Sequence, residues 1–264
     1  MKKWRGLLSL LFCILFISLL SGCGASGSSA EKQSESNKKI LKLGTSADYA
    51  PFEYMDTAKG DEVIGFDIDL ANMIAKELGY EVQVVDMDFN GLIPALQSGK
   101  VDFVLASMTP TPERKKSVDF SDVYYVAKNM IVTKKENGLK TMEDLKGKTV
   151  GVQTASIQEG EAKKLAKTID MKLESRNRIP ELIQEIQAGR FDAAIIENTV
   201  AKGYIKNSGG KLMGTTMQTS EQEAGSAIAF PKGSKLTDKF NQVLQEKMKN
   251  GEVDKLIKKW FDQQ

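Results

Sequence analysis

The chain has 264 residues, 41% hydrophobic and 27% charged, enough for one large or two medium domains with their own cores. Lysine and arginine number 37 against 35 aspartate and glutamate, a near balance that argues against nucleic acid as the partner. The absence of histidine removes the commonest general base and a common metal ligand.

Residues 1–22 stand apart. Lys2, Lys3 and Arg5 form a basic start, Leu7 to Leu20 is nearly all apolar, and LSGC closes the stretch. The apolar run falls short of the roughly 20 residues needed to cross a bilayer, so the stretch reads as a secretory signal. LSGC resembles the bacterial lipobox, which implies cleavage before Cys23 and lipidation of that thiol. Cys13 leaves with the signal, so no disulfide is expected in the exported protein. Removing three basic and no acidic residues leaves 34 against 35, a net charge of −1. Residues 23–38 are rich in Ser and Gly without apolar periodicity, as in a flexible tether.

From Ile40 onward short apolar runs alternate with amphipathic stretches, the pattern of an α/β architecture with largely parallel sheets. ILKLGT reads as a strand. In GFDIDLANMIAKELG, Ile68, Ala71, Ile74, Ala75 and Leu78 share a helical face, with Gly79 at the stop position. YEVQVVDM is a strand, FNGLIPALQSGK a short helix and VDFVLASM a strand. VYYVAKNMIVTK reads as one long strand able to bridge two lobes. A second unit follows: the strand TVGVQ, a helix, the amphipathic IPELIQEIQ with Leu182, Ile183 and Ile186 inward, the strand FDAAIIE and the helix NTVAKGYIKN. The strand AGSAIAFP comes next. A closing helix places Leu236, Phe240, Val243, Leu244 and Met248 on one face.

Between these elements lies ASMTPTPERKKSVDFSDVYY. Ala106, Ser107 and Thr109 end a buried strand, and Arg114 follows about one helical turn later. A guanidinium presents a planar fork of donors that matches a carboxylate in bidentate fashion. With hydroxyls and backbone N–H groups around it, the fork would form an anion cradle. The plainer alternative is a surface loop with a solvated arginine.

Seven strings in order, GTSADYAPFEY, GFDIDLANMIAKELG, DFNGLIPALQSGKVD, TPERKKSVDFSDVYY, LKGKTVGVQTASIQE, AGRFDAAIIE and KKWF, resemble the amino-acid-binding lipoproteins of ABC importers, the polar amino-acid branch of the extracellular solute-binding proteins. The resemblance implies an α/β, two-lobe fold of the type II periplasmic-binding-protein kind with two crossover strands. Lobe 1 would comprise residues 39–126 and 222–264, and lobe 2 residues 127–221. It also implies a free amino acid held between the lobes of a monomer, delivered to permease subunits, with no cofactor or metal. Arg114 would take the α-carboxylate with Thr109, Ser107 and the backbone at Ala106, joined by Ser156, Ile157 and Gln158. Glu197 would take the α-ammonium, and Tyr49 and Phe89 would sandwich the ligand side chain. Phe89 reads equally as a core aromatic beside Leu92 and Ile93.

Relatives for basic amino acids often carry an acid directly after GT, where this chain has Ser46. Asp48, two residues on and pointing the same way on an extended segment, is expected to supply that charge. Glu53 is a second candidate and Gln153 a polar neighbour; otherwise Asp48 is an acid in a solvated turn. Arginine is the expected ligand, lysine or histidine next, with glutamine or cystine as the alternative. A dehydratase-type enzyme on the same fold is the rival class, disfavoured because no Ser/His or Cys/His pair exists. Cys23→Ser is expected to release the protein from the membrane fraction; retention equal to wild type would overturn the lipid anchor.

Overall fold

The computed structural model describes residues 39–217 and 224–262; Cys23 and the leader and tether assigned around it lie outside them. Strand β1 (Lys39–Thr45) leads into the short strands β2 (Asp48–Tyr49), β3 (Glu53–Asp56) and β4 (Glu62–Ile64), then helix α1 (Phe66–Glu77). Strand β5 (Tyr80–Asp86), helix α2 (Leu92–Gln97), strand β6 (Phe103–Val104), helix α3 (Arg114–Ser117) and strand β7 (Val118–Ala127) follow. Next come β8 (Asn129–Lys134), β9 (Thr149–Gln153), α4 (Ile157–Leu165), β10 (Lys172–Arg176) and α5 (Ile179–Gln187). Then β11 (Ala193–Glu197), α6 (Asn198–Asn207), β12 (Leu212–Thr216), β13 (Ala224–Pro231), α7 (Leu236–Lys249) and α8 (Glu252–Phe261) complete the described chain. Among the described residues no helix is long and apolar enough to cross a membrane.

Two five-stranded sheets organise the described residues, one ordered β5-β1-β6-β13-β7 and the other β10-β9-β11-β8-β12; a small third sheet joins β2, β3 and β4. In each large sheet the strands linked through helices pair in parallel, β1 with β5 and β6, and β9 with β10 and β11. The strands on either side of a passage between the sheets instead pair antiparallel, β13 with β6 and β7, and β8 with β11 and β12. A helical crossover brings the chain back to the same end of a sheet; a strand arriving from the other sheet is under no such constraint.

Three sequence expectations change here. VYYVAKNMIVTK is two strands in different sheets, separated at Lys128. Beyond Val104, VDFVLASM leaves the ladder: Ser107 takes a left-handed backbone with φ 45°, which ends strand pairing and turns the chain toward α3. Met248, expected inward, is exposed near the end of α7; its neighbour Lys247 is tucked in between Glu77 and Glu252 instead.

Helix α1 shows how packing sets up the site. Ile68, Ala71, Ile74 and Ala75 are buried, as their spacing predicts. The helix start has no side-chain cap; Phe66 N–H donates to Pro51 O at 2.9 Å and Asp67 N–H to Phe52 O at 2.8 Å. This close approach needs Gly65, whose φ is 139° and where a Cβ would lie 2.1 Å from Phe52 O. The turn thereby brings Glu53 and Asp67, both buried, into one place. Beneath it, Phe52, Phe66, Tyr125 and Phe261 form an aromatic cluster, Tyr125 stacking on Phe261 at 4.6 Å between ring centroids. The closing helix α8 is thus tied to the chain's first hairpins. Gly65→Ala is expected to lower the thermal midpoint by roughly 2–12 °C, from about 1–3 kcal/mol of backbone strain at ~2–4 °C per kcal/mol. An unchanged midpoint would contradict the requirement for glycine.

Candidate functional site

A partly open cavity is lined from both halves of the fold. From the first half come Ser46, Tyr49, Glu53, Phe89, Ala106, Ser107, Thr109 and Arg114. Gln153, Ser156, Ile157, Gln158 and Glu197 come from the second.

Arg114 begins α3, where its N–H donates to Thr111 Oγ1 at 3.2 Å. Its guanidinium donates to Thr109 O and to Ala155 O, each at 2.9 Å, the second bond reaching the other half of the fold. Two of five N–H donors are used this way, so the fork keeps donors for an anion. The guanidinium lies 5.3 Å from the centre of the Phe89 ring, so Phe89 supports the cation as well as lining the cavity. Burial lowers the Arg114 pKa to about 10, which leaves it charged at neutral pH. Ser156 caps α4: its hydroxyl accepts from Glu159 N–H at 3.0 Å and donates to Gln153 O at 2.7 Å. The first-turn amides of Ile157 and Gln158 have no intrahelical acceptor, the usual setting for a bound carboxylate. Gln158 is further held by a 2.8 Å bond to Asn129 Oδ1.

The remaining charged groups are acids. Glu197 ends β11; its Oε2 accepts from Ser107 Oγ at 3.1 Å and Tyr49 O–H at 3.4 Å, while Oε1 has no protein partner. Burial raises its pKa to about 8 despite those bonds. Glu53 is 1% exposed, and burial, the nearby charge of Asp67 and a hydrogen bond to Asp67 push its pKa well up. Asp67 accepts from Ser107 N–H and Tyr124 O–H, both at 2.9 Å, and also from Glu53; burial raises it to about 6. The site therefore combines one half-buried guanidinium and a helix start with a surplus of buried carboxyl groups. Among the described residues no group of three or more His, Cys, Asp or Glu is arranged to hold a metal ion.

Asp48 departs from its expected place. It does not line the cavity: Oδ2 accepts from Ile179 N–H at 2.6 Å, Oδ1 accepts from Ser46 Oγ at 2.8 Å, and Arg178 stands 3.7 Å away. Pairing of β2 with β3 turns its carboxylate toward α5, and the wall it was expected to supply is formed by Ser46. The other expected residues all line the cavity. Asp67 escaped the sequence reading because an acid in a helical first turn is ordinary; only the fold shows that it is buried.

An α/β fold of two sheets around a polar, charged cavity defines a solute-binding protein of the type II periplasmic-binding-protein class. Residues 41–263 match the model of the bacterial extracellular solute-binding proteins, family 3. The arginine-binding extracellular protein ArtP of Bacillus subtilis (strain 168) is 57% identical over 262 residues, covering 99% of this chain and 98% of that protein. The solved structure of an ancestral arginine-binding protein bound to arginine superposes with a TM-score of 0.79 at 45% identity, covering 85% of this chain and 99% of the other. An ancestral arginine-binding protein bound to glutamine gives 0.79 at 44%, covering 85% and 98%. The chain belongs to the bacterial extracellular solute-binding proteins, family 3.

A carboxyl group with a higher pKa in the folded than in the unfolded chain favours folding while protonated. For Glu197 that contribution is full below 4.5 and lost as pH rises through about 8. Glu53 and Asp67 are raised too and act with the same sign. Ligand-free protein is therefore expected to lose stability as pH rises from 4.5 to about 8, and Glu197→Gln to flatten the decline. Parallel profiles for wild type and variant, measured by thermal melts across that range, would contradict the assignment.

Proposed function

We propose that this protein captures a basic L-amino acid, arginine foremost, outside the cytoplasm and passes it to the permease subunits of an ABC transporter. One observation carries the basic ligand: Glu53 and Glu197 line the cavity as buried acids, Glu197 with one oxygen lacking a protein partner, and Arg114 is the single cation among the described lining residues. A zwitterion alone adds no net charge, so surplus buried acid favours a ligand with a second cation. The arginine-binding relatives point the same way.

In this reading Arg114, Thr109, Ser156 and the first amides of α4 hold the α-carboxylate. Glu197 holds the α-ammonium, and Glu53 takes over from Asp48 as the acid facing the side-chain cation. Tyr49 and Phe89 enclose the ligand, their faces worth roughly 0.5–2 kcal/mol each toward a flat cation. The halves built on the two large sheets, residues 39–126 with 222–264 and residues 127–221, act as lobes that close on the ligand, since a ligand touching both favours the closed state. The protein is a carrier without cofactor or catalysis, monomeric and held at the outer membrane face by lipid on Cys23.

Glutamine is the second reading, favoured by Ser46 and Gln153, neutral groups at the wall where an acid was expected. The glutamine-bound ancestral structure belongs with it. Calorimetry with arginine, lysine, histidine, glutamine and cystine separates the two. Arg114→Ala is expected to weaken every ligand by on the order of a hundredfold or more, since exposing a buried charge pair costs about 2–5 kcal/mol. Glu53→Gln should weaken arginine much more than glutamine. Wild type preferring glutamine or cystine, or Arg114→Ala binding normally, would overturn the respective claim.

A further inference from the structure

Arg178 lies just ahead of α5, in the half of the fold built on the second large sheet. Its backbone is fixed there: Glu181 Oε2 accepts from the N–H groups of Asn177 and Arg178, each at 3.1 Å. The side chain reaches the first half. Two of its nitrogens donate to the two oxygens of Asp86, at 3.0 and 3.2 Å, and Nε donates to Asp88 at 2.7 Å. Asp48 completes the set at 3.7 Å and also accepts the Ile179 N–H at 2.6 Å, while Asn177 Nδ2 donates to Asp88 at 3.1 Å. Three carboxylates of one half thus converge on one guanidinium of the other.

Isolated exposed ion pairs contribute little, but a bidentate arginine in a multi-charge network is the recognised exception. The Arg178 side chain is only 24% exposed and Asp48 only 7%. Burial lowers the basicity of Arg178, but its acidic partners more than offset this and hold it above its ordinary value. Arg178 does not line the cavity; the two are joined through Gln153, a lining residue whose amide donates to Asn177 O at 3.1 Å.

We propose that Arg178 and its acidic partners form a latch that holds the two halves closed and so sets how long the ligand stays, without touching the ligand. This rests on the proposal that the halves hinge around an amino acid. Opening would separate Asp48, Asp86 and Asp88 from their shared cation, leaving like charges close together. The latch strengthens the closed state for every ligand alike, so it raises affinity through residence time and leaves ligand ranking to the cavity.

The test uses the full-length protein. Stopped-flow measurements with arginine should show Arg178→Ala releasing ligand on the order of ten times faster, with the association rate nearly unchanged and arginine, lysine and glutamine weakened by the same factor. Arg178→Lys, which keeps the charge but loses the fork, should recover only part of the loss. Asp88→Asn, at a 42% exposed site where misfolding is not expected, should move the same way by a smaller factor. Added to Arg178→Ala, it should change little further. Amide hydrogen exchange at Ile179 reads the latch without ligand, and Arg178→Ala should speed it. Unchanged release in both variants, or a changed ranking of ligands, would overturn the latch. If wild type binds no amino acid, the functional reading fails instead, and Ile179 exchange decides the latch alone: faster exchange supports it and unchanged exchange overturns it.

Discussion

Carboxyl groups held out of water with too few partners constrain this molecule more than any other feature. Glu53, Asp67 and Glu197 are each buried; Glu53 and Asp67 lean on each other, and Glu197 keeps one oxygen with no protein donor. A protein tolerates that arrangement only when the acids stay partly protonated or when something brings a positive charge to them. The fold works to hold them in place. The Gly65 turn seats Asp67 against Ser107, Tyr124 clamps it, and β11 carries Glu197 to the same region, where Tyr49 and Ser107 meet it. In the free site burial favours the protonated acids, and a cationic ligand would favour their charged forms.

The halves of the fold meet through two kinds of contact. Inside the cavity they are hydrogen bonds from one half to backbone or side chain of the other, such as Arg114 to Ala155 O and Tyr49 to Glu197. Outside it are the charges around Arg178, beside neutral bonds such as Tyr204 O–H to Asp48 O. The first set is shared with any ligand, so it tunes recognition; the second is independent of ligand chemistry. Separating the two lets affinity and selectivity vary through different residues. The aromatic cluster of Phe52, Phe66, Tyr125 and Phe261 underlies the first half and ties the end of the described chain to its beginning. Strands from distant parts of the chain therefore keep a common frame while the cavity remains polar.

Periodicity in the sequence determined a good deal. The buried faces of α1 and α5, the core strands and the alternation of strand with helix follow from apolar spacing, because burying those side chains is worth more than any local alternative. The meeting of Arg114 with Thr109 was legible as well, since TPERK sets the two a fixed, short distance apart. Pairwise geometry was not. VYYVAKNMIVTK is strand-forming on both sides of Lys128 and Asn129, and two polar residues inside such a run do not show that the chain changes sheet there. Asp48 looked free because a sequence shows which residues are acidic and not which distant donor will claim them; its partner Ile179 lies 131 positions away. Asp67 looked ordinary because burial depends on what packs over a helical turn. Local pattern decided the elements and their inward faces, and the family resemblance supplied most of the residues gathered at the cavity. Only the tertiary structure decided the state and partners of each charge, because electrostatic energies depend on burial and on distances of a few ångströms between groups far apart in the chain.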